Sequence, residues 1–465
     1  MSQVGTKDLT QGSPLRLMVS FMLPILFGML FQQFYSMVDT VVVGNFLGVD
    51  ALAGVGSTGS ISFLVLGLCN GICAGFAIPV AQKFGQRDFE GLRRFVGNMI
   101  WLAVVIAGIV TLTTTLLCRQ ILTWMETPDE VFRYAYDYIF IIFLGIPATM
   151  FYNLLSGILR SLGDSRTPLV FLILSSLLNV ALDLLFILTF QMGVAGAGWA
   201  TLLAQLISGL LCLGYMAKKF PLLHLDRTDL ILDRRYVKQL LVMGLPMGMQ
   251  YSITAIGSIL IQAAINGLGP IAMASVTAGG KVSMFLVCPY EALGSAAAVF
   301  AGQNLGAGKP ERIYRGVRDV ALVGYAYGAV IFLVSCLWGG SLTMLFLNGG
   351  SGAEVGEIIS MSRQYLIVNA VFYIALMYVN LLRFTIQGLG FPELAVFAGV
   401  FEMVARGAVA LLLVPVFGFQ AVCFANAAAW ILADGFLFPA FTHCLKRRGY
   451  QPQQRETKRG LRIAK

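Results

Sequence analysis

Nine stretches of the chain contain no charged residue: 17–38, 51–82, 95–118, 138–159, 184–217, 239–280, 320–353, 364–382 and 407–433. A helix that crosses the hydrocarbon core of a bilayer needs about 20 apolar residues. Each stretch can therefore span at least once, and the longer ones hold two helices joined by a turn. Inside lipid, backbone polar groups have to be paired within the structure, so only helices and closed barrels can span. A barrel would alternate apolar and polar positions over segments of about 10 residues, and no stretch here alternates. An all-α membrane protein is the expected class. Composition agrees, with 58% hydrophobic and only 12% charged residues, where soluble domains carry roughly 25% charged. A soluble enzyme, a secreted module and a disordered chain are excluded.

Turn signals divide the chain into twelve spans, near 16–43, 51–80, 94–118, 135–160, 168–190, 194–216, 238–267, 274–302, 316–339, 362–388, 394–416 and 419–444. Of the 32 Lys and Arg, 27 fall in the N-terminal tail, the even-numbered loops and the C-terminal tail; Arg160 and Arg383 are counted among these loop residues. The opposite side keeps Arg119, Arg133, Lys281 and Arg363 beside five acids. By the positive-inside rule both termini are expected in the cytoplasm. The net charge of +9 is then mostly topological and calls for no nucleic-acid partner. The basic tail reads equally as resting on anionic headgroups or as solvated. The eight cysteines are scattered among apolar residues and read as packing residues, not as a metal or redox site. No cofactor is expected.

The halves resemble each other. Ala81-Gln-Lys-Phe-Gly-Gln-Arg-Asp-Phe-Glu90 corresponds to Gly302-Gln-Asn-Leu-Gly-Ala-Gly-Lys-Pro-Glu311; Leu23-Pro24 to Leu245-Pro246; and Arg160-Ser-Leu-Gly163 to Gln387-Gly-Leu-Gly390. Six helices per half make both halves enter from the same side, so the repeat is parallel, with a pseudo-two-fold along the membrane normal. The expected organisation is an N-lobe over 1–216, a linker over 217–237, a C-lobe over 238–444 and a basic tail over 445–465. Two facing six-helix bundles enclose a cleft, which is a transporter's architecture. Gly302–Lys309 is not a P-loop, because its spacing is wrong and Pro310 follows the lysine. It reads as a helix-connecting turn.

A charge at mid-bilayer costs about 2.5–3.5 kcal/mol even on lenient scales, so an intramembrane acid is a functional candidate by default. Asp39, Asp183, Glu291, Glu402 and Asp434 qualify. Asp39 shares a helical face with Gln32, Tyr35 and Ser36, and Pro24 in the same helix permits a bend. Asn179 lies one turn before Asp183, pointing the same way, and the sixth helix adds Thr201. Two carboxylates, an amide and a hydroxyl make a hard oxygen cluster suited to H⁺ or Na⁺. The competing reading is a neutral polar core that fixes helix packing. Position 39 maps to Leu260 or Ile261 and position 183 to Val409-Ala410; the repeat itself therefore does not require these acids. Glu402 and Arg406, four apart, read as a structural ion pair. Glu291 and Asp434 have no partner visible in the sequence.

Together, Leu23-Pro24 and Tyr35-Ser-Met-Val-Asp39 in helix one, Asn179-Val-Ala-Leu-Asp183 in helix five and Gly302-Gln-Asn-Leu-Gly-Ala after helix eight resemble the multidrug and toxic compound extrusion (MATE) transporters, most closely their DinF-type branch. The resemblance covers nearly the whole chain. It implies the fold of the multidrug, oligosaccharide-lipid and polysaccharide flippase superfamily, and a cation site formed by Asp39, Asn179, Asp183 and Thr201. It also implies a bend at Pro24 that responds to occupancy, and a substrate cavity lined by Tyr35, Tyr138 and Asn153. The NorM-type branch has a Glu eight residues after the proline of helix seven, where this chain has Thr254.

The expected function is an antiporter that exports amphipathic, often cationic, organic compounds in exchange for H⁺ or Na⁺, working as a monomer. A lipid or lipid-linked oligosaccharide flippase is the alternative and would need a cleft rich in Arg and Lys. A membrane-embedded transferase would need Asp-rich or His-centred motifs, and neither occurs in the sequence.

Overall fold

The computed structural model describes residues 7–347 and 353–451; the remainder of the basic tail lies outside them. Eleven helices are long and apolar enough to cross a bilayer, and a bent pair makes a twelfth span. These are α1 (Pro14–Leu47), α2 (Asp50–Gln86), α3 (Phe89–Leu116), α4 (Asp129–Leu144 and Ile146–Ser161), α5 (Arg166–Thr189), α6 (Val194–Lys219), α7 (Arg234–Asn266), α8 (Pro270–Gly306), α9 (Pro310–Met344), α10 (Glu354–Gly388), α11 (Pro392–Phe417) and α12 (Phe419–Arg447). The chain is a multi-pass membrane protein, with no strand among the described residues. The 46° bend in α4 falls at Gly145, just before Pro147, whose ring cannot share the helical ladder with the preceding turn. α1, by contrast, is continuous through Pro24.

The two halves share backbone detail as well as helix count. α1 and α2 are joined through Gly48 at φ 89, ψ 179, and α7 and α8 through Gly269 at φ 97, ψ 175. α5 widens into a single π turn at Leu185–Thr189 and α11 at Val409–Leu413. Gly193 at φ 61, ψ −146 precedes α6, and Gly418 at φ 55, ψ −134 precedes α12. An inserted turn with two matched glycine corners is too specific a combination to arise from helix packing alone; it records the internal repeat.

Across the pseudo-two-fold, α2 packs along α7 and α8, and α1 along α8. Small residues let helix backbones approach closely where no hydrophobic force separates protein from lipid. A methyl group on Gly71 or Gly75 would come within 2.6 Å of the α7 backbone. Leu9 and the first half of α1, with Met18, Phe21, Met22 and Ile25, join the apolar core otherwise built by the second half.

The N-terminal segment and the loops after α2, α4, α8 and α10 gather on one side, called here the terminal face. There Leu9 N donates to Gln303 Oε1 at 3.0 Å, Gln303 Nε2 to Ser161 O at 2.8 Å, and Gln82 Nε2 to Gly388 O at 3.0 Å. The segment 302–309 is not all turn: α8 continues through Gly306. The physical reason is packing, because Gln303 and Asn304 are fully buried and hydrogen-bonded, and the glycines admit the opposing helix. A Cβ on Gly85 would stand 2.0 Å from Gln303 O, and one on Gly306 would stand 2.0 Å from Gln82 O. The repeated Gln-x-x-Gly elements therefore seal the terminal face against each other. Away from that face, Gln32, Ser36 and Thr40 of α1 and Ser258, Gln262 and Asn266 of α7 are exposed. Polar side chains exposed on otherwise apolar spans mark a wet cleft rather than a lipid surface.

Candidate cation and substrate cavity

A cavity of about 470 Å³ lies mainly within the first half. One face of α1 lines it with Gln32, Tyr35, Ser36 and Asp39, the set that spacings of three, four and seven place together. Tyr138 and Asn153 line it from the two segments of α4, and Asn179 and Thr201 from α5 and α6. The bend in α4 allows one helix to present residues fifteen positions apart to the same space. Pro24 is not part of the lining.

Asp183 is fully buried, Asn179 is 3% exposed, and Asp39 is half-buried. α1 packs along α5, which brings the carboxyls of Asp39 and Asp183 close enough to interact. Asn179 Nδ2 donates to Thr201 Oγ1 at 3.3 Å, which leaves the Asn179 carbonyl oxygen free. Among the described residues no group donates to Asp39 Oδ1, to either oxygen of Asp183 or to Asn179 Oδ1. Buried polar atoms are ordinarily paired, and two carboxylates in low dielectric cannot both hold their charge side by side. Three residues thus offer four acceptor oxygens with no donor among the described residues, a set whose chemistry suits a proton or a small hard cation.

Several residues were not identified from the sequence. Asn70 of α2 accepts a hydrogen bond from Asn153 Nδ2 at 2.9 Å, and Gln205 of α6 lines the cavity one turn after Thr201, its Oε1 buried without a partner among the described residues. The signal for both was a carboxamide inside an apolar span. Arg160 is a correction. Counted above as a loop residue, it lies in the last turn of α4, lines the cavity, and donates from Nε to Ser156 O at 3.2 Å. Among the described residues no carboxylate is within 4.0 Å of it. α4 extends to Ser161 and carries Arg160 inward with it.

A MatE family model matches residues 24–185 and 246–412. That is most of both halves, with the same break between them. The chain belongs to the MatE family.

As a MatE protein it is a membrane transporter and not an enzyme. It is similar to the probable multidrug resistance protein YpnP of Bacillus subtilis, at 29% identity over 79% of this chain and 80% of that one. It is also similar to an FAD transporter of Shewanella oneidensis, at 23% identity over 64% of this chain and 66% of that one. Its fold matches a solved structure described as the outward-facing conformation of a multidrug resistance MATE family transporter of the MOP superfamily. The TM-score is 0.88 at 22% identity, covering 96% of this chain and 99% of that one.

Among the described residues, the second half of this MatE protein shows no comparable acid pocket. Arg383, also counted above as a loop residue, is buried in α10, where it meets Glu402 Oε1; Arg406 Nη2 lies 3.3 Å from Glu402 Oε2. The Glu402–Arg406 pair therefore has a third member. α10 runs to Gly388, the end expected for this span, so Arg383 lies inside the helix and not in the loop to which the charge count assigned it. Asp434 is 9% exposed and faces Arg383. Glu291 is solvent-accessible, beside the cavity residue Tyr251.

Proposed function

We propose that the chain is a secondary active antiporter that exports amphipathic organic cations in exchange for H⁺ or Na⁺. Asp39, Asn179, Asp183 and Thr201 form the coupling site, and Gln32, Tyr35, Tyr138 and Asn153 line the substrate path. The basic loops face the cytoplasm of a bacterial cell, so the sealed terminal face is the inner one and the cleft opens outward. The observation that carries this reading is the convergence of four acceptor oxygens without a donor. Binding H⁺ or Na⁺ there removes the negative charge that attracts a cationic compound, and the affinity of the cavity for it falls. α1 carries Asp39 and Tyr35 on one face and Pro24 fifteen residues before Asp39; Pro24 is the point at which occupancy alters the helix. One charge moved through 100 mV is worth about 2.3 kcal/mol, enough to drive uphill export. The relatives named as multidrug resistance proteins support the substrate class.

The test is dye efflux from proteoliposomes under separate H⁺ and Na⁺ gradients. Asp39→Asn is expected to abolish gradient-driven export while the protein remains folded. Export at the normal rate by that variant removes the coupling role.

A second reading, transport of an amphiphile with an anionic head, draws support from Arg160. A guanidinium facing the cavity without a carboxylate partner suits a phosphate or carboxylate, and one relative carries the name of an FAD transporter.

A further inference from the structure

The corresponding place in the second half is differently filled. Aligned on the π turns, Asn179 and Asp183 correspond to Met403 and Gly407, so position 183 falls two to three residues before the Val409-Ala410 match expected from the sequence; aligned on Gly193 and Gly418, Thr201 corresponds to Asn426. One residue ahead of Met403 and Gly407 stand Glu402 and Arg406, with the same spacing of four. Asn179 bridges α5 to α6 by donating to Thr201 at 3.3 Å, and Arg406 bridges α11 to α12 by donating from Nε to Asn426 Oδ1, also at 3.3 Å. The first half presents a carboxyl pair that, among the described residues, no guanidinium grips. The second presents a carboxylate already gripped by a guanidinium.

Glu402 is flanked by two guanidiniums. Arg406 from α11 and Arg383 from α10 both meet it, and Asp434 from α12 stands within electrostatic range of Arg383 but outside ion-pair distance. The other polar groups facing the cluster are neutral: Tyr365 from α10 and Asn426 from α12 beside Arg406, and Tyr251 from α7 beside Arg383. Two guanidiniums and two carboxyls share this region, all at most 9% exposed, and the ion-pair contacts are those to Glu402. A buried charge without its partner is strongly unfavourable, so the cluster as built demands no mobile ion.

We infer that Arg406 is a tethered cation, occupying permanently in the second half the place that an exchangeable cation takes in the first. The inference rests on the coupling role of the first-half acids. The second half is thereby fixed in the equivalent of a loaded state, and ion exchange is confined to one lobe of a pseudo-symmetric molecule. Arg406 is a positioning residue rather than one that touches substrate.

The experiment measures proton uptake by the purified full-length protein in detergent, in Na⁺-free buffer, on a jump from pH 8 to pH 5. Arg406→Met leaves Glu402 and Asp434 facing the single charge of Arg383, so its uptake is expected to exceed that of wild type by about one proton per molecule. Glu402→Gln with Arg406→Met restores the balance and is expected to return to the wild-type value. Because a buried ion pair can often be replaced by neutral groups of similar size without loss of stability, the double variant is expected to fold. Repeating both in an Asp39→Asn background keeps the comparison informative even where Asp39 proves not to couple: the one-proton difference is expected there too. No gain in Arg406→Met, or a gain that persists in the double variant, overturns the inference. Failure of both variants to fold assigns the pair to packing alone and overturns it equally.

Discussion

Adding one methyl group at the seal between the lobes tests whether their separation is the moving part of this transporter. Gly85 and Gly306 occupy matching positions in the two halves, and each faces the backbone carbonyl of the glutamine in the other's Gln-x-x-Gly element. An alanine Cβ at either site would lie 2.0 Å from that oxygen, whereas ordinary contact starts near 3.4 Å. A gap of about 1.4 Å has to open. The obstacle on both sides is backbone, and Gln82 and Gln303 are held by their own hydrogen bonds to Gly388 and Ser161, so neither can turn aside. Overpacking of this kind costs about 1–3 kcal/mol, which shifts a two-state equilibrium by roughly 5–150-fold. The cost falls only on the state sealed at the terminal face; the alternate state, with the lobes apart there, is unaffected. Spin labels at Glu90 and Arg318, both exposed on that face, would report the inter-lobe distance by pulsed electron resonance. Gly85→Ala and Gly306→Ala are each expected to populate a longer distance and to slow export. Gly108→Ala, whose Cβ would meet nothing within 4 Å, is expected to leave both unchanged. Wild-type distances in both seal variants would refute the reasoning.

Two further measurements follow from single residues. Arg160→Gln is expected to lower export of a carboxylate-bearing amphiphile by at least tenfold relative to a permanently cationic dye, in the same proteoliposomes. An equal effect on both substrates would show that Arg160 does not read an anionic head. Asp88 caps α3 by accepting from Gly91 N at 2.9 Å and pairs with Lys83 Nζ at 2.6 Å; the hydrogen bond from Lys83, followed by that from Gly91, holds its carboxyl below the usual carboxylate range. A depressed pKa means stability that is present above the unfolded value and lost as pH falls through the folded one. Asp88→Ala is expected to lower the melting temperature at pH 7, in line with about 1 kcal/mol for a lost N-cap. The gap should narrow progressively below pH 4; a gap independent of pH would show that the charge is not involved.

The legibility of this protein in its sequence follows the cost of burying charge. Lipid excludes charge, so the spans appear as charge-free intervals, and a pattern of that length survives without any knowledge of contacts. The face of α1 bearing Gln32, Tyr35, Ser36 and Asp39 was legible for a similar reason, because helical spacing is local. Arg160 and Arg383 were assigned to loops by their charge although the expected spans 135–160 and 362–388 contain them, because what lets a charge stay inside a span is a buried partner or cavity that charge counting cannot see. Asn70 and Gln205 are single neutral amides, which carry too little free-energy cost to be distinctive in an apolar span.

The sequence by itself determined the class, the number of spans, the internal repeat and the acids that belong to one half only. These rest on the bilayer as solvent and on helix periodicity, both of which act locally along the chain. The tertiary structure decided which of those acids meet. Asp39 and Asp183 lie 144 residues apart on α1 and α5, and their contact without a donor exists only after the helices pack. It also decided that Glu402 answers to two guanidiniums, and that two Gln-x-x-Gly elements 221 residues apart close the molecule against each other. Close packing and charge compensation involve residues distant in the chain, so no local pattern records them.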